Sequence, residues 1–142
     1  MKKFYEEEDI DIIIKNSINE LNFFDKKHIL LTGGNGFLGK YFTKTIDKFN
    51  TVYKKNIKLT VIDNLVMNKN VFAKTLKSKK IKFINADASK KIKVNSKLNY
   101  IIHAAGIASP FYYRAKPLQT LDVAVNGLRN ILDMARERKT KV

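Results

Sequence analysis

Between a short apolar run, Lys27-His28-Ile29-Leu30-Leu31, and a helix-like stretch starting at residue 37 lies Thr32-Gly33-Gly34-Asn35-Gly36-Phe37-Leu38-Gly39. Glycines at 33, 36 and 39, placed where a strand gives way to a helix, leave few folds open. Such a junction brings the first amides of the helix, and the positive end of its dipole, to the end of a strand. Gly33 permits the tight turn, Gly36 lets main-chain N–H groups approach a diphosphate, and Gly39 lets the helix lie close to the sheet. A glycine string alone is a weak signal. It becomes specific when an acid ends the next strand, and the apolar run 57–62 ends at Asp63. A carboxylate there can accept both hydroxyls of a ribose and repels a 2′-phosphate, which favours NAD over NADP. Asp63 lies 30 residues past Gly33, against about 20 in the usual fingerprint. A longer helix and a loop over 50–56 account for the excess.

Two decoys share this neighbourhood. Gly34, Gly39 and Lys40 fit the spacing of a triphosphate-binding loop, but Tyr41 stands where Ser or Thr must ligate magnesium. Tyr112 and Lys116 form a Y-x-x-x-K pair, which on a helix could lower a phenol pKa for proton transfer. They precede Pro117, in what reads as a loop or first turn, and so fit packing or a substrate contact better than a proton relay.

Strand and helix signals alternate along the chain. Residues 6–23 read as an amphipathic helix, either an appended arm or a packing helix, through Ile10, Ile13, Ile14, Ile18 and Leu21. A helix is expected over 37–49 with Phe37, Leu38, Phe42, Ile46 and Phe49 inward, and a Lys-rich helix near 69–78. Further strands are expected at 81–84, ending at Asp87, and at 100–103, opening into Ala104-Ala105-Gly106. From Pro117 a long helix to about 138 carries Leu118, Leu121, Val125, Leu128 and Leu132 on one stripe. The chemistry-bearing residues fall at the carboxyl ends of strands, where open parallel sheets bind ligands. The fold class is α/β, a doubly wound Rossmann-type parallel sheet ending after the fourth strand and its helix. Residues 1–24 form an N-terminal helical arm and 25–142 a partial NAD-binding domain.

Composition closes off other classes. The chain has no Cys and two His, 75 positions apart, so neither a disulfide framework nor a thiolate or His-based metal site is expected. His28 reads as a surface residue and His103 as a hydrogen-bonded structural one. No apolar run is long enough to span a bilayer and the acidic N-terminal stretch has no signal core, from which a cytoplasmic protein without membrane contact is expected. The net charge of +15 invites a polyanion partner, yet 24 of the 28 basic residues are Lys, scattered among apolar positions. That pattern suits solvated faces and a general attraction for phosphates, and argues against a dedicated nucleic-acid surface.

Residues 27–138 resemble the extended short-chain dehydrogenase/reductases that act on nucleotide sugars, in the UDP-glucuronate decarboxylase-like branch. The resemblance rests on the glycine loop, Ile62-Asp63-Asn64, Asp87, His103-Ala104-Ala105-Gly106, and Ala108-Ser109-Pro110 followed by Tyr113 and Pro117. It implies that Gly33, Gly36, Phe37 and Leu38 hold the NAD diphosphate, that Asp63 and Asn64 bind the adenosine ribose, and that Asp87 and Ala88 flank the adenine. Ala105 and Gly106 would lie beside the nicotinamide, with Ser109, Pro110 and Tyr113 facing the sugar. Gly127 and Asn130 match the family's helix, whereas Ala124 stands where the family has Asn.

The implied activity is oxidation at C4 of a nucleotide sugar, UDP-linked by preference, then decarboxylation and re-reduction. A 4,6-dehydratase or a 4-epimerase shares the first step. The family's catalytic Tyr/Lys pair follows a fifth strand, which is expected to begin at Lys141-Val142. No catalytic residue is therefore assigned, and the sequence reads as an N-terminal half, inactive alone, with an unpaired edge on its fourth strand. Two non-enzymatic readings stand beside it: a cofactor- or partner-binding module, as a homodimer or with a complementing chain, and a polyanion binder.

Overall fold

The computed structural model describes residues 7–66 and 75–142. Its elements are α1 (Glu7–Asn16), α2 (Ile18–Phe23), β1 (His28–Thr32), α3 (Phe37–Val52), β2 (Lys58–Asp63), β3 (Ile81–Asn85), β4 (Tyr100–His103), α4 (Pro110–Ala115), α5 (Pro117–Asp122), a π-helical turn (Val123–Gly127) and α6 (Leu128–Arg138). The four strands pair in parallel in the order β3-β2-β1-β4. That order reverses direction after β3, which places helices on both faces and a crevice at the carboxyl ends of β1 and β4.

Alternate residues of β1 feed two cores. Ile29 and Leu31 join Leu59, Val61, Ile46 and Phe49 on the α3 face. Leu30 joins Ile62, Ile101, Ile131 and Met134 on the α6 face. A strand buried on both sides reads as an unbroken apolar run, as 29–31 does.

The N-terminal segment packs into the α3 face through Ile10, Ile14 and Leu21. It is two helices rather than one, broken at Ser17, whose φ of −122° and ψ of 28° leave the helical region. Tyr41 donates its hydroxyl to Asp9 Oδ2 at 2.7 Å and Lys48 pairs with Asp11, fixing α1 on α3.

Helix α3 runs to Val52, past the expected end at 49. Its buried line passes through Gly39, Thr43, Ile46 and Asn50. Phe37 and Leu38, expected inward, are 66% and 72% exposed. They occupy the first turn, roughly 200° and 100° around the helix from Gly39, and so point away from the sheet. Asn50 closes the 50–57 loop with both ends of its amide: Oδ1 accepts the Ile57 N–H at 2.9 Å and Nδ2 donates to the Ile57 carbonyl at 2.8 Å.

Asp47, 5% exposed, has Oδ1 accepting the N–H groups of Lys77 (2.9 Å) and Ser78 (2.7 Å), which anchors the entry to β3. Asp47→Ala strands both amides and is expected to cost about 2–3 kcal/mol, read as a lower urea midpoint at unchanged slope. Of the Lys-rich helix expected near 69–78, positions 69–74 lie outside the described residues. Over 76–78 the chain is not helical.

The segment after β4 departs most from expectation. Residues 110–115 form a helix, so Tyr112 is helical, whereas Lys116 stands outside it, at φ −135° and ψ 58° in the break before Pro117, with its N–H donating to the Tyr112 carbonyl at 2.8 Å. The expected single helix from Pro117 is interrupted by the π-helical turn. The stripe of Leu118, Leu121, Val125, Leu128 and Leu132 faces outward, each at least 42% exposed. The sheet takes the other face, Gly127, Ile131, Met134 and Ala135. Small residues decide this. A Cβ on Gly127 would sit 3.6 Å from the His103 ring and 3.7 Å from Ala88, an approach that the bulky leucine face cannot make.

The outer edge of β4 is partly occupied. Lys141 pairs in parallel with Tyr100, and the Ile101 N–H donates to the Lys141 carbonyl at 2.8 Å. This isolated bridge lies on the side of β4 away from β1.

Candidate functional site

Four strand ends open into one cavity of about 290 Å³. Beneath it the glycine loop is folded by short contacts. Gly33 has a φ of +73°, and a Cβ there would stand 2.4 Å from the Ala104 carbonyl oxygen, so residue 33 must be glycine for the turn and for the approach to β4. Gly39 approaches the loop itself, its missing Cβ pointing at the Gly33 oxygen and the Gly34 Cα. The Gly36 N–H turns inward, donating to the Gly33 carbonyl at 3.1 Å. The outward amides are those that follow. The first intrahelical bond of α3 is from Lys40 N–H to Gly36, so Phe37, Leu38 and Gly39 have no carbonyl within the helix to bond. No acidic side chain lies in that first turn, which leaves the positive end of the dipole for an anion.

Asp63 lies next to this loop. Its Oδ2 accepts the Asn35 N–H and its Oδ1 the Leu65 N–H, both at 2.8 Å. An ionised carboxylate offers about four acceptor positions, and two remain for a diol. Asn64, exposed, turns its side chain back to the Val66 N–H at 3.1 Å. Asp87 accepts both the N–H (2.9 Å) and the hydroxyl (2.8 Å) of Ser89, a turn that shapes the wall beside Ala88. Asn130 donates to the Ala88 carbonyl at 3.2 Å and ties this wall to α6.

The expected residues Gly33, Gly36, Asp63, Asn64, Asp87, Ala88, Ala105 and Gly106 all line the one cavity. Phe37 and Leu38 do not, and would contribute main-chain amides only; the Leu38 side chain borders a separate apolar groove between α2 and α3. Ser109, Pro110 and Tyr113 are also outside the lining, at the start of α4. Lys40 is 6% exposed and not at the cavity. Burial lowers its pKa, and the nearby Asp63 pulls the other way. A lysine held inside the fold does not serve a triphosphate loop.

Gln119 and Asp122 line the cavity from α5, unforeseen from the sequence. Their signal was present: three apart, they lie off the leucine stripe. His28 is not a free surface residue. Its Nε2 meets Thr60 Oγ1 at 2.9 Å and its Nδ1 the Lys97 carbonyl at 3.1 Å. Burial, more than the nearby Lys58, lowers its pKa. His103 Nδ1 lies 2.7 Å from Thr32 Oγ1, and burial lowers its pKa as well.

The donor set suits a dinucleotide: outward amides at a helix N-terminus, and a carboxylate with free acceptor positions one hydrogen bond away. Residues 29–142 match the model of the NAD dependent epimerase/dehydratase family. The chain belongs to that family. Among its relatives is UDP-glucuronic acid decarboxylase 1 of Danio rerio, 31% identical over 113 residues, 79% of this chain and 25% of that protein. The inverting UDP-N-acetylglucosamine 4,6-dehydratase of Campylobacter jejuni is 25% identical over 121 residues, 83% of this chain and 35% of that protein. The chain thus spans about a third or less of these relatives. In fold it is similar to the crystal structure of DesIV, the dTDP-glucose 4,6-dehydratase of Streptomyces venezuelae, with a TM-score of 0.65 at 20% identity over 80% of this chain and 37% of that one. The parallel order and two-sided helices of a Rossmann-type α/β sheet are therefore those of epimerase/dehydratase structures.

Proposed function

We propose that this chain is the NAD-binding portion of a nucleotide-sugar-modifying enzyme whose chemistry is that of a UDP-glucuronate decarboxylase. The observation that carries the reading is the 2.8 Å bond from the Asn35 N–H to Asp63. It joins the diphosphate-binding turn and the ribose-binding acid in one cavity. The amides of Phe37 and Leu38 would hold the diphosphate, the open acceptor positions of Asp63 the adenosine ribose, and the wall at Asp87 and Ala88 the adenine. Ala105 and Gly106 would lie along the nicotinamide half. Bound NAD supplies a hydride acceptor for a sugar carbon. The protein's part is to fix its orientation and to repel a 2′-phosphate through Asp63.

The choice of decarboxylase is supported by Ala108-Ser109-Pro110 with Tyr113, and by the 31% identity to the Danio rerio enzyme. The second reading, a 4,6-dehydratase acting on a UDP-sugar, is favoured by the Campylobacter jejuni relative. In either case the family's proton-relay Tyr and Lys are not assigned among the residues that line this cavity. Calorimetric titration of the chain is expected to show NAD binding at least about tenfold tighter than NADP. UDP-glucuronate and UDP-N-acetylglucosamine mixed with chain and NAD should remain unconverted by proton NMR. Equal affinity for the two cofactors, or none for NAD, sinks the reading.

A further inference from the structure

We infer that His103 is a positioning residue for the cofactor cavity, acting through the Thr32 hydroxyl on the main chain at Ala105. The relay stands on geometry alone; the consequence for cofactor binding rests on the NAD reading above. Thr32, fully buried at the end of β1, makes two bonds to the segment that follows β4. Its carbonyl accepts the Ala104 N–H at 3.2 Å, and its Oγ1 accepts the Ala105 N–H at 3.3 Å. The same Oγ1 is 2.7 Å from His103 Nδ1.

A hydroxyl has one hydrogen to give. With the Ala105 N–H on one lone pair, the arrangement closes when that hydrogen points at a bare Nδ1, the imidazole being neutral and protonated on Nε2. A charged imidazole carries a proton on both nitrogens. Nδ1 then donates to Oγ1, the hydroxyl hydrogen must find another acceptor in a buried site, and the bond to Ala105 weakens. Ala105 and Gly106 line the cavity, so what His103 does to Thr32 is felt there.

The ring's surroundings favour the neutral form. Its hydrogen-bond partner Thr32 and its neighbour Gly127 are uncharged, and the latter lies against Ala88 as well. The ionisable groups on the elements packed about it are Asp63 at the end of β2, Asp87 and Lys90 beside Ala88, Asp122 before the π-helical turn, Arg129 after it, and Asp133, Arg136, Glu137 and Arg138 farther along α6. Among the described residues none of these hydrogen-bonds to the ring. Asp63 is taken by Asn35 and Leu65, Asp87 by Ser89, and Asp122 receives Asn126. Burial alone moves the His103 pKa below 6.5.

The test follows the full 142-residue chain by ¹⁵N NMR from about pH 8 to about pH 5. Nδ1 of His103 is expected to be unprotonated at neutral pH, and the Ala105 amide shift to move with the titration of the ring. Thr32→Val should uncouple the two, and Thr32→Ser should restore the coupling. NAD affinity is expected to fall about fivefold through the same titration, with the profile flattened in His103→Gln. A protonated Nδ1 at neutral pH, or an Ala105 amide indifferent to the ring, overturns the inference. NAD binding that is measurable but constant through the titration overturns it too, and leaves the NAD reading intact. No NAD binding at any pH removes that reading and the cofactor role of His103 with it, while the amide titration still decides the relay.

Discussion

Replacing Gly39 with alanine is expected to lower stability by about 3 kcal/mol and to pull the first turn of α3 off the loop that it completes. The new Cβ would stand 2.3 Å from the Gly33 oxygen, 2.6 Å from the Gly34 Cα and 2.8 Å from the Gly34 carbonyl carbon. All three are main-chain atoms, so no side-chain rotation relieves the clash. Either α3 shifts or the Gly33–Gly36 turn opens. For a domain of this size the loss corresponds to a melting temperature lower by roughly 6–12 °C, measurable by circular dichroism. Gly106→Ala is the control. A Cβ there meets nothing within 4 Å, and the change in stability should stay within about 0.5 kcal/mol. If Gly39→Ala melts with the parent protein, the helix does not lie against the loop as described.

The contrast between Gly39 and its neighbours marks what a sequence can and cannot carry. Buried strands announce themselves because both faces need apolar side chains, so 29–31 and 57–62 are legible and their parallel order follows from the helices between them. Helix faces are harder. The 117–138 segment has two apolar faces, one rich in leucine and one built on Gly127, Ile131, Met134 and Ala135. Periodicity favours the larger side chains, whereas packing favours the face that allows close approach. The same logic misplaces Phe37 and Leu38, apolar but a turn too early on α3 to reach the sheet.

The glycine loop and Asp63 could be paired from spacing and residue type. That Asp63 is fixed by the Asn35 and Leu65 amides could not, because hydrogen bonds of an amide leave no trace in composition. Thr32 and His103 are separated by 71 positions, and only the register of β1 on β4 brings them side by side.

Asp63→Ala is expected to raise the dissociation constant for NAD about 30- to 100-fold, a loss of roughly 2–3 kcal/mol. The carboxylate is the one group at the end of β2 that can accept both ribose hydroxyls, and hydrogen bonds to a charged acceptor are the stronger kind. Part of the loss could arise indirectly, since alanine also frees the Asn35 and Leu65 amides that the carboxylate now holds. Asp63→Asn separates the two contributions. It keeps an acceptor oxygen of the same reach for one amide but gives up the negative charge. The glycine loop should then stay in place, NAD should weaken less than in Asp63→Ala, and the preference over NADP should shrink because nothing repels the 2′-phosphate. Calorimetry with both cofactors, alongside melting curves to show that each variant is folded, reads all of this. A folded Asp63→Ala protein that binds NAD as the parent does would place the ribose elsewhere, and the assignment of this cavity to a dinucleotide would fall.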